Sequence, residues 1–499
     1  MYDRGDSMSS MAKQDYITQE TVTGVVPMLK KDKQYHFWDL FLSTSGFAIA
    51  TWCYTQGAYG AQYLSLTQLL INIFAVNLIF ITIECIPVFF AVRYGIDLWV
   101  WLRSVLGQKG VAIFATVISL ANFGWYAVDA SLFASSMMNL GSNLGIAIPA
   151  EGTTSYFFIK ATLGVLCVLI GTFIALGGPT VIKWTSRFLV TALLIVGVVV
   201  VVLCFTSVPI ADMFSIKGGE LATAAGGQAE PDPLVNFMLS AEGNVAFAFS
   251  WSTQALVMPR LCHTESKGYW GTQLSYGIVA PFFVAAGGIM TYAFFVKFGT
   301  YCEDPTTMLA GLCTPVVALL SLLMVAFANI GTQGMGSYVN CMIVKSGMPK
   351  VSYKLMVWIA FVYVSILTVW GWPMEHFGSF ISCAAYLQGP IIGMVVVDYL
   401  IVKKRKLSLK SAFFMKGHDS YKFTGGFNLV GLAVLAISFA LAMIFVYNPI
   451  NGEIKSNIFL VLTGSGTTLI LGAVLYYIAS VIPPLRKYML RDRNDLEIV

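Results

Sequence analysis

The stretch STSGFAIATWCYTQG at residues 43–57 returns in altered form at 240–256 as SAEGNVAFAFSWSTQAL. Each copy runs from a serine to a glycine three residues on, through a small-residue stretch, to a tryptophan and then a glutamine. The matched residues are Ser43, Gly46, Trp52 and Gln56 against Ser240, Gly243, Trp251 and Gln254, with the Trp-to-Gln spacing off by one. Five apolar segments separate the start of one copy from the start of the next, so the two enter a bilayer from opposite faces. That is what an inverted repeat of five plus five helices requires. Glycine and small residues let the first helix of each repeat unwind near the midplane, which frees carbonyls and amides to bind an ion or a polar solute. A second reading stays open, in which the small residues only let helices pack closely.

The composition supports a membrane setting. Of 499 residues, 57% are hydrophobic and 11% charged, and mean hydropathy is +0.75. A soluble domain is about one quarter charged, so most of this chain cannot face water. A span needs roughly 20 apolar residues. Twelve candidates follow: 39–58, 68–92, 111–139, 157–177, 184–206, 236–260, 273–297, 315–344, 353–372, 377–401, 427–447 and 457–482. Lipid offers no partner for free backbone groups, so all twelve are read as helices. The expected fold is an all-α polytopic membrane protein with helices 1 and 6 broken. It divides into a cytoplasmic tail (1–35), two five-helix repeats (36–206 and 236–405), accessory helices 11 and 12 (427–482) and a second cytoplasmic tail (483–499).

With both termini inside, every lysine and arginine of the 30 except Lys160, Lys217, Lys297 and Lys455 falls on the cytoplasmic side. The run VKKRKLSLK at 402–410 is the densest. This asymmetry is a strong positive-inside signal and supports the count of twelve. The polar N-terminus has no short apolar core after a basic start, so it is not read as a signal peptide. Nine cysteines are scattered without a C-x-x-C pair. Cys302 and Cys313 share one expected extracytoplasmic loop, TYCEDPTTMLAGLCTP at 300–315, where a disulfide and two unpaired thiols are both open readings.

Several segments in order resemble the nucleobase:cation symporter-1 family, in particular its cytosine permease-like branch. They are WCYTQGAYGAQYLS (52–65), VRYGIDLWVWLRSVLGQKG (92–110), GWYAVDA (124–130), ANIGTQGMGSY (328–338) and GPIIGMVVVDYLIVKKRK (389–406). Together they cover most of residues 36–405. The resemblance implies the inverted-repeat transporter fold already read from the duplication, and cation-driven uptake of a small heterocycle by alternating access. It implies that a substrate ring lies between aromatics of spans 3 and 6, which by position are Trp125 and Trp251. A flat π-system stacks well on indole faces, with roughly 1 kcal/mol per stack beyond area burial. Gln254 and Gln333 are assigned to the same substrate site. Asp129 stands one helical turn beyond Trp125, where relatives carry a polar, often uncharged residue. A carboxylate there suits an N–H-rich edge, an amidine or a cation, so Asp129 is expected to bind substrate, with a proton site or a structural acid as alternatives.

For the driving ion, sodium-coupled members of this fold use carbonyls of the broken first helix and oxygens of span 8. The matching positions are Gly46 and Ile49 with Asn329 and Thr332. Gly331 and Gln333 stand where relatives often have a second hydroxyl, so proton coupling competes with sodium. Glu84 and Glu242 are further candidate proton sites, because an unpaired charge within a span is costly. Asp398 is expected to pair with the adjacent basic cluster.

No other cofactor is expected. The expected partners are a small-molecule substrate and membrane lipid, with no nucleic acid, in a monomer of the cell membrane. Four dispersed histidines (His36, His263, His376, His418), with no nucleophile motif or metal cluster, argue against an enzyme. A channel would want a repeated filter. A receptor-like membrane protein, or a carrier of a small cationic amine or amino acid on the same fold, stays open. Tryptophans can also cage a cation.

Overall fold

The computed structural model describes residues 27–228 and 230–490, and these are mostly helical. The expected tails at 1–35 and 483–499 fall outside the described residues as far as residue 26 and from residue 491 onward. The first half contains α1 (Phe37–Ala48), α2 (Trp52–Ala61), α3 (Leu66–Tyr94), α4 (Leu98–Leu106), α5 (Gln108–Asn143), α6 (Thr154–Leu176) and α7 (Gly178–Ser207). The second contains α8 (Pro233–Phe249), the one-turn α9 (Ser252–Ala255), α10 (Glu265–Phe298), α11 (Pro315–Gly347), α12 (Tyr353–Trp370) and α13 (Phe377–Val402). Two further helices follow, α14 (Leu429–Phe445) and α15 (Gly464–Val481). Nine helices among the described residues are long and apolar enough to cross a membrane.

Local chemistry sets the helix ends. Ser65 opens α3 with a capping box through Gln68, which satisfies donors that have no intrahelical partner. Gly95 closes it in the left-handed region at φ 65°, a conformation that costs glycine little. Asp97 caps α4 by accepting from the Val100 amide at 2.9 Å. The last helix starts later than the apolar run suggested, at Gly464 rather than 457, because Thr463 adopts φ 57° and the short turn Phe459–Leu462 ends before it.

The helical path is interrupted where the duplicated stretch lies. α1 ends at Ala48, three non-helical residues follow, and α2 starts at Trp52. α8 ends at Phe249, and α9 starts after Ser250 and Trp251. The copies differ beyond the interruption: α2 continues for 10 residues, α9 for 4. Pro259 lies in a tight 3-10 turn at Met258–Leu261 that follows α9.

Two packing features place the interruptions. Gly57 and Gly287 bring α2 and α10 together, since a Cβ on Gly287 would overlap the Tyr54 backbone and one on Gly57 the Val284 carbonyl. Such contacts let helix backbones approach closely in lipid. α5 and α11 pack along their length. Asn122 meets Asn340, and Ser136 meets the Leu322 carbonyl, so ascending one helix descends the other and the pair is antiparallel. Outward faces are apolar at helical spacing, as with Ile195, Val198 and Val202 on α7 and Ile359, Val362 and Ile366 on α12, all exposed. This is the pattern of a lipid-facing surface.

Candidate functional site

The second interruption exposes backbone groups that lipid cannot satisfy. Gln388 on α13 satisfies them. Its side-chain oxygen accepts from the Thr253 amide at 3.2 Å and the Thr253 hydroxyl at 2.6 Å. Its nitrogen donates to the Ser250 carbonyl and, at 2.9 Å, to Asn122 Oδ1. One side-chain amide thus bridges an acceptor and a donor across the break, as a peptide unit would. Asn340 on α11 continues the network. It donates to Gln254 Oε1 at 3.0 Å, and the Tyr126 hydroxyl donates to the same oxygen. All these side chains are buried. Gln254 Nε2 is left without a partner.

Trp125 borders this network. It is 1% exposed, and its indole N–H donates to the Ser250 carbonyl at 3.4 Å. Its ring meets Trp52, Phe247, Phe377 and Phe380 edge-on, at centroid distances of 5.0, 5.5, 5.7 and 5.3 Å. Trp251 lies within the interruption itself and meets Phe247 at 6.0 Å and Tyr276 at 4.5 Å. The two indoles expected to face one another are therefore linked through Phe247. Gln56 of the first copy is buried against Gly243 of the second, with both amide atoms unpartnered. The aromatic surfaces and unspent amides thus gather where the duplicated segments meet.

Asp129 goes elsewhere. It is fully buried. With the Asn329 amide turned to suit its neighbours, its nitrogen donates to Asp129 Oδ1 at 3.0 Å and to the Thr51 hydroxyl. The structure thus groups Asp129 with the first interruption rather than with Trp251. The other residues matched to a cation gather there too, for the Thr332 hydroxyl points to the Gly46 carbonyl at 3.4 Å. A crevice of about 10 Å³, bordered by Gly46 and Thr332 and by Thr185 and Leu189 of α7, reaches this point. That is room for about one water molecule. Ile49 is buried at the same break. Gln333 is buried one turn along α11 from Asn329, against Gly171 of α6, with both amide atoms unpartnered.

The other acids differ among themselves. Glu242 is buried rather than lining an open vestibule. It accepts from the Ser465 hydroxyl at 2.7 Å and the Ser465 amide at 2.9 Å, at the start of α15. A helix N-terminus is a favourable place for a carboxylate. Glu84 is buried with Oε2 unpartnered. Asp398 binds Lys403 at 3.4 Å, Trp101 Nε1 at 2.9 Å and the Tyr476 hydroxyl at 2.9 Å, in line with the expected pairing. Cys302 and Cys313 are free thiols.

Comparison with known proteins fixes the family, with a match over residues 27–469. The chain belongs to the permeases for cytosine/purines, uracil, thiamine and allantoin. It is 24% identical over 378 residues to the hydantoin permease of Microbacterium maritypicum, covering 73% of each chain. It is 22% identical over 382 residues to the purine-uracil permease NCS1 of Arabidopsis thaliana, covering 68% of this chain and 57% of that one. Among solved structures, it matches Mhp1, a nucleobase-cation-symport-1 family transporter in a closed conformation with bromovinylhydantoin bound. That match has TM-score 0.69 at 19% identity and covers 95% of this chain and 98% of the other. A Na+-coupled sialic acid symporter follows at TM-score 0.57 and 13% identity, covering 90% and 91%. These likenesses show the fold. This family member is thus a multi-pass membrane transporter of heterocyclic substrates, and its relatives are permeases rather than enzymes.

Four functional candidates escaped sequence reasoning: Asn122, Tyr126, Asn340 and Gln388. A signal was present, since Ser119, Asn122 and Tyr126 recur on one face of α5. Uncharged polar residues among small ones read as packing.

Proposed function

We propose that this permease imports a small nitrogen-rich heterocycle by cation symport with alternating access. The substrate binds beside the second interruption, with Trp125 stacking on its ring and Gln254 and Gln56 reading its hydrogen-bonding edge. The observation that carries this reading is the gathering of a buried indole with amide atoms that have no partner, Gln254 Nε2 and both amide atoms of Gln56, where the duplicated segments meet. A buried polar group without a partner costs roughly 1–3 kcal/mol, and a heterocycle with donors and acceptors would remove that cost. Trp251 flanks this site through its ring contacts with Phe247 and Tyr276. The cation binds at the first interruption among Gly46, Ile49, Asn329 and Thr332.

In this reading the chain crosses the membrane twelve times, as the nine long helices, the shorter α14 and two broken crossings, α1 with α2 and α8 with α9. Residues 36–206 and 236–405 form the inverted repeats, an arrangement supported by the antiparallel α5 and α11, their third members. Lysine and arginine placement puts both termini in the cytoplasm, and a monomer suffices. The experiment is uptake of radiolabelled uracil, cytosine, allantoin and a substituted hydantoin into proteoliposomes, with and without a cation gradient. Accumulation of at least one above the no-gradient control is expected, and absence of uptake and binding for all of them would refute the reading.

A further inference from the structure

A cavity lined by neither interruption lies where α6 begins and α12 ends. Its volume is about 420 Å³, within the roughly 300–1,000 Å³ typical of small-molecule sites. Its wall carries charge of both signs: Glu151 just before α6, Lys160 within α6, and Glu375 in the turn between α12 and α13. None of the three forms an ion pair among the described residues. The charges are ordered along α6. Lys160 is six residues beyond Thr154, the first residue of the helix, or about 9 Å along its axis. Its ammonium turns back over the Tyr156 ring, 5.7 Å from the centroid, as a long side chain does near a membrane boundary. An apolar groove of about 280 Å³ adjoins the cavity, and Trp370 lines both. The groove follows Leu367 and Tyr363 down α12 and reaches Leu120 of α5 and Phe380 of α13. Phe157, Phe158 and Trp370 stand exposed around the rim, and an exposed tryptophan at a helix end marks the membrane boundary.

We propose that cavity and groove together hold one phospholipid whose headgroup joins a phosphate to a primary ammonium, as in phosphatidylethanolamine. Lys160 takes the phosphate, Glu151 and Glu375 take the ammonium, and an acyl chain passes Trp370 into the groove. The order of charge matches. In such a lipid the phosphate lies nearer the hydrocarbon than the ammonium does, and Lys160 lies deeper along α6 than Glu151. A headgroup with phosphate as its only charge would leave two carboxylates unanswered, and a quaternary ammonium offers them no N–H donor. A soluble zwitterion would leave the groove and the apolar rim uncovered. In the proposed orientation, with both termini cytoplasmic, this lipid belongs to the outer leaflet. The groove ends on Phe380, whose ring lies 5.3 Å from that of Trp125, so the bound chain buttresses the aromatic wall of the candidate site. The lipid assignment itself does not depend on which heterocycle is carried.

The test titrates purified full-length protein in detergent with palmitoyl-oleoyl phosphatidylethanolamine, phosphatidylglycerol or phosphatidylcholine, and reads the lipid-bound fraction by native mass spectrometry. Wild type is expected to bind phosphatidylethanolamine at least about fivefold more tightly than either other lipid. Glu151→Gln combined with Glu375→Gln is expected to lose that preference while still binding phosphatidylglycerol. Lys160→Gln is expected to weaken all three lipids, and Trp370→Ala to do so at least about threefold. Glu151, Glu375 and Trp370 are exposed, so these replacements leave the packed interior as it is. A wild type without preference among the lipids, or a double variant that keeps the full preference, would overturn the proposal. So would glycerophosphoethanolamine, which has the headgroup and no acyl chain, displacing the lipid at an equal concentration, because the site would then serve a soluble zwitterion. The readout uses no heterocycle and no cation gradient, so its failure and failure of the proposed symport are separable.

Discussion

Replacing Gln388 with alanine tests whether the second interruption is held open by a side chain. Gln388 makes four hydrogen bonds, two of them to backbone groups that flank the break. Hydrogen bonds between helices in a membrane average about 0.6 kcal/mol each, so the loss amounts to about 2 kcal/mol. The alternative for residues 250–252 is to close into a continuous helix, which satisfies the Ser250 carbonyl and the Thr253 amide without Gln388. A heterocycle that binds only the interrupted form then meets a smaller competent population, and its apparent affinity falls by up to about thirtyfold. The assay is equilibrium binding of the best substrate to purified Gln388→Ala protein, with uptake in proteoliposomes alongside. Binding and uptake within threefold of wild type would refute the claim that this amide maintains the break. Gln388→Glu sharpens the test. As a carboxylate it faces the Ser250 carbonyl with no donor, whereas protonated it regains one, so its activity is expected to recover as pH falls from 8 to 5.5, relative to wild type at each pH.

Trp125→Ala removes the stacking surface and the bond to Ser250. Heterocycle affinity is expected to fall at least about tenfold, with Trp125→Phe retaining part of it, as checked by competition binding. Glu242→Gln keeps the shape of the α15 cap but loses the charge at a helix N-terminus, worth about 0.3–1 kcal/mol. A lower unfolding midpoint in detergent with unaltered cation dependence of uptake is expected, whereas a changed ion dependence would make Glu242 a coupling site. Gly287→Leu places a side chain into the Tyr54 backbone, and loss of monodisperse protein by size-exclusion chromatography is expected, since overpacking at a backbone contact has no flexible neighbour to yield.

How much of this was legible in the sequence depended on range. Hydropathy, charge asymmetry and the duplicated stretch are local or periodic signals, and they located the long helices within a few residues in most cases. The late start of α15 was missed because the apolar run continues through Thr463, whose left-handed backbone ends it. The site was only partly legible. Trp125 and Trp251 stood out as indoles deep in spans, and both lie at the second interruption. Asp129 stood out equally, yet Asn329 and Thr51, which neighbour it, lie far off in sequence, and its adjacency to Trp125 on the helix did not disclose them. Two residues one turn apart share a helix face, but a helix packed on several others presents different partners at each level. Glu242 shows the same limit, since its partner Ser465 is 223 residues away.

The placement of Asp129 one turn from Trp125 would give the proposed symport a physical route. α5 is continuous from Gln108 to Asn143, so a stiff helix holds Trp125 against the second interruption and Asp129 against the first, about 5–6 Å apart along its axis. Trp52, which opens α2 just past the first interruption, lies 5.0 Å from Trp125 and 6.1 Å from Tyr126. If a cation orders the first interruption, as proposed, it would fix the ring that Trp125 leans on, while a substrate on Trp125 would fix Trp52 in return. Coupling between two bound ligands must be reciprocal, and these contacts meet that requirement without a long chain of relays. A cation that merely filled a remote hole would leave Trp52 unmoved. In the proposed symport the size of the coupling depends on the Trp52–Trp125 contact, and Trp52→Ala should make heterocycle affinity independent of the cation before it abolishes binding of either ligand.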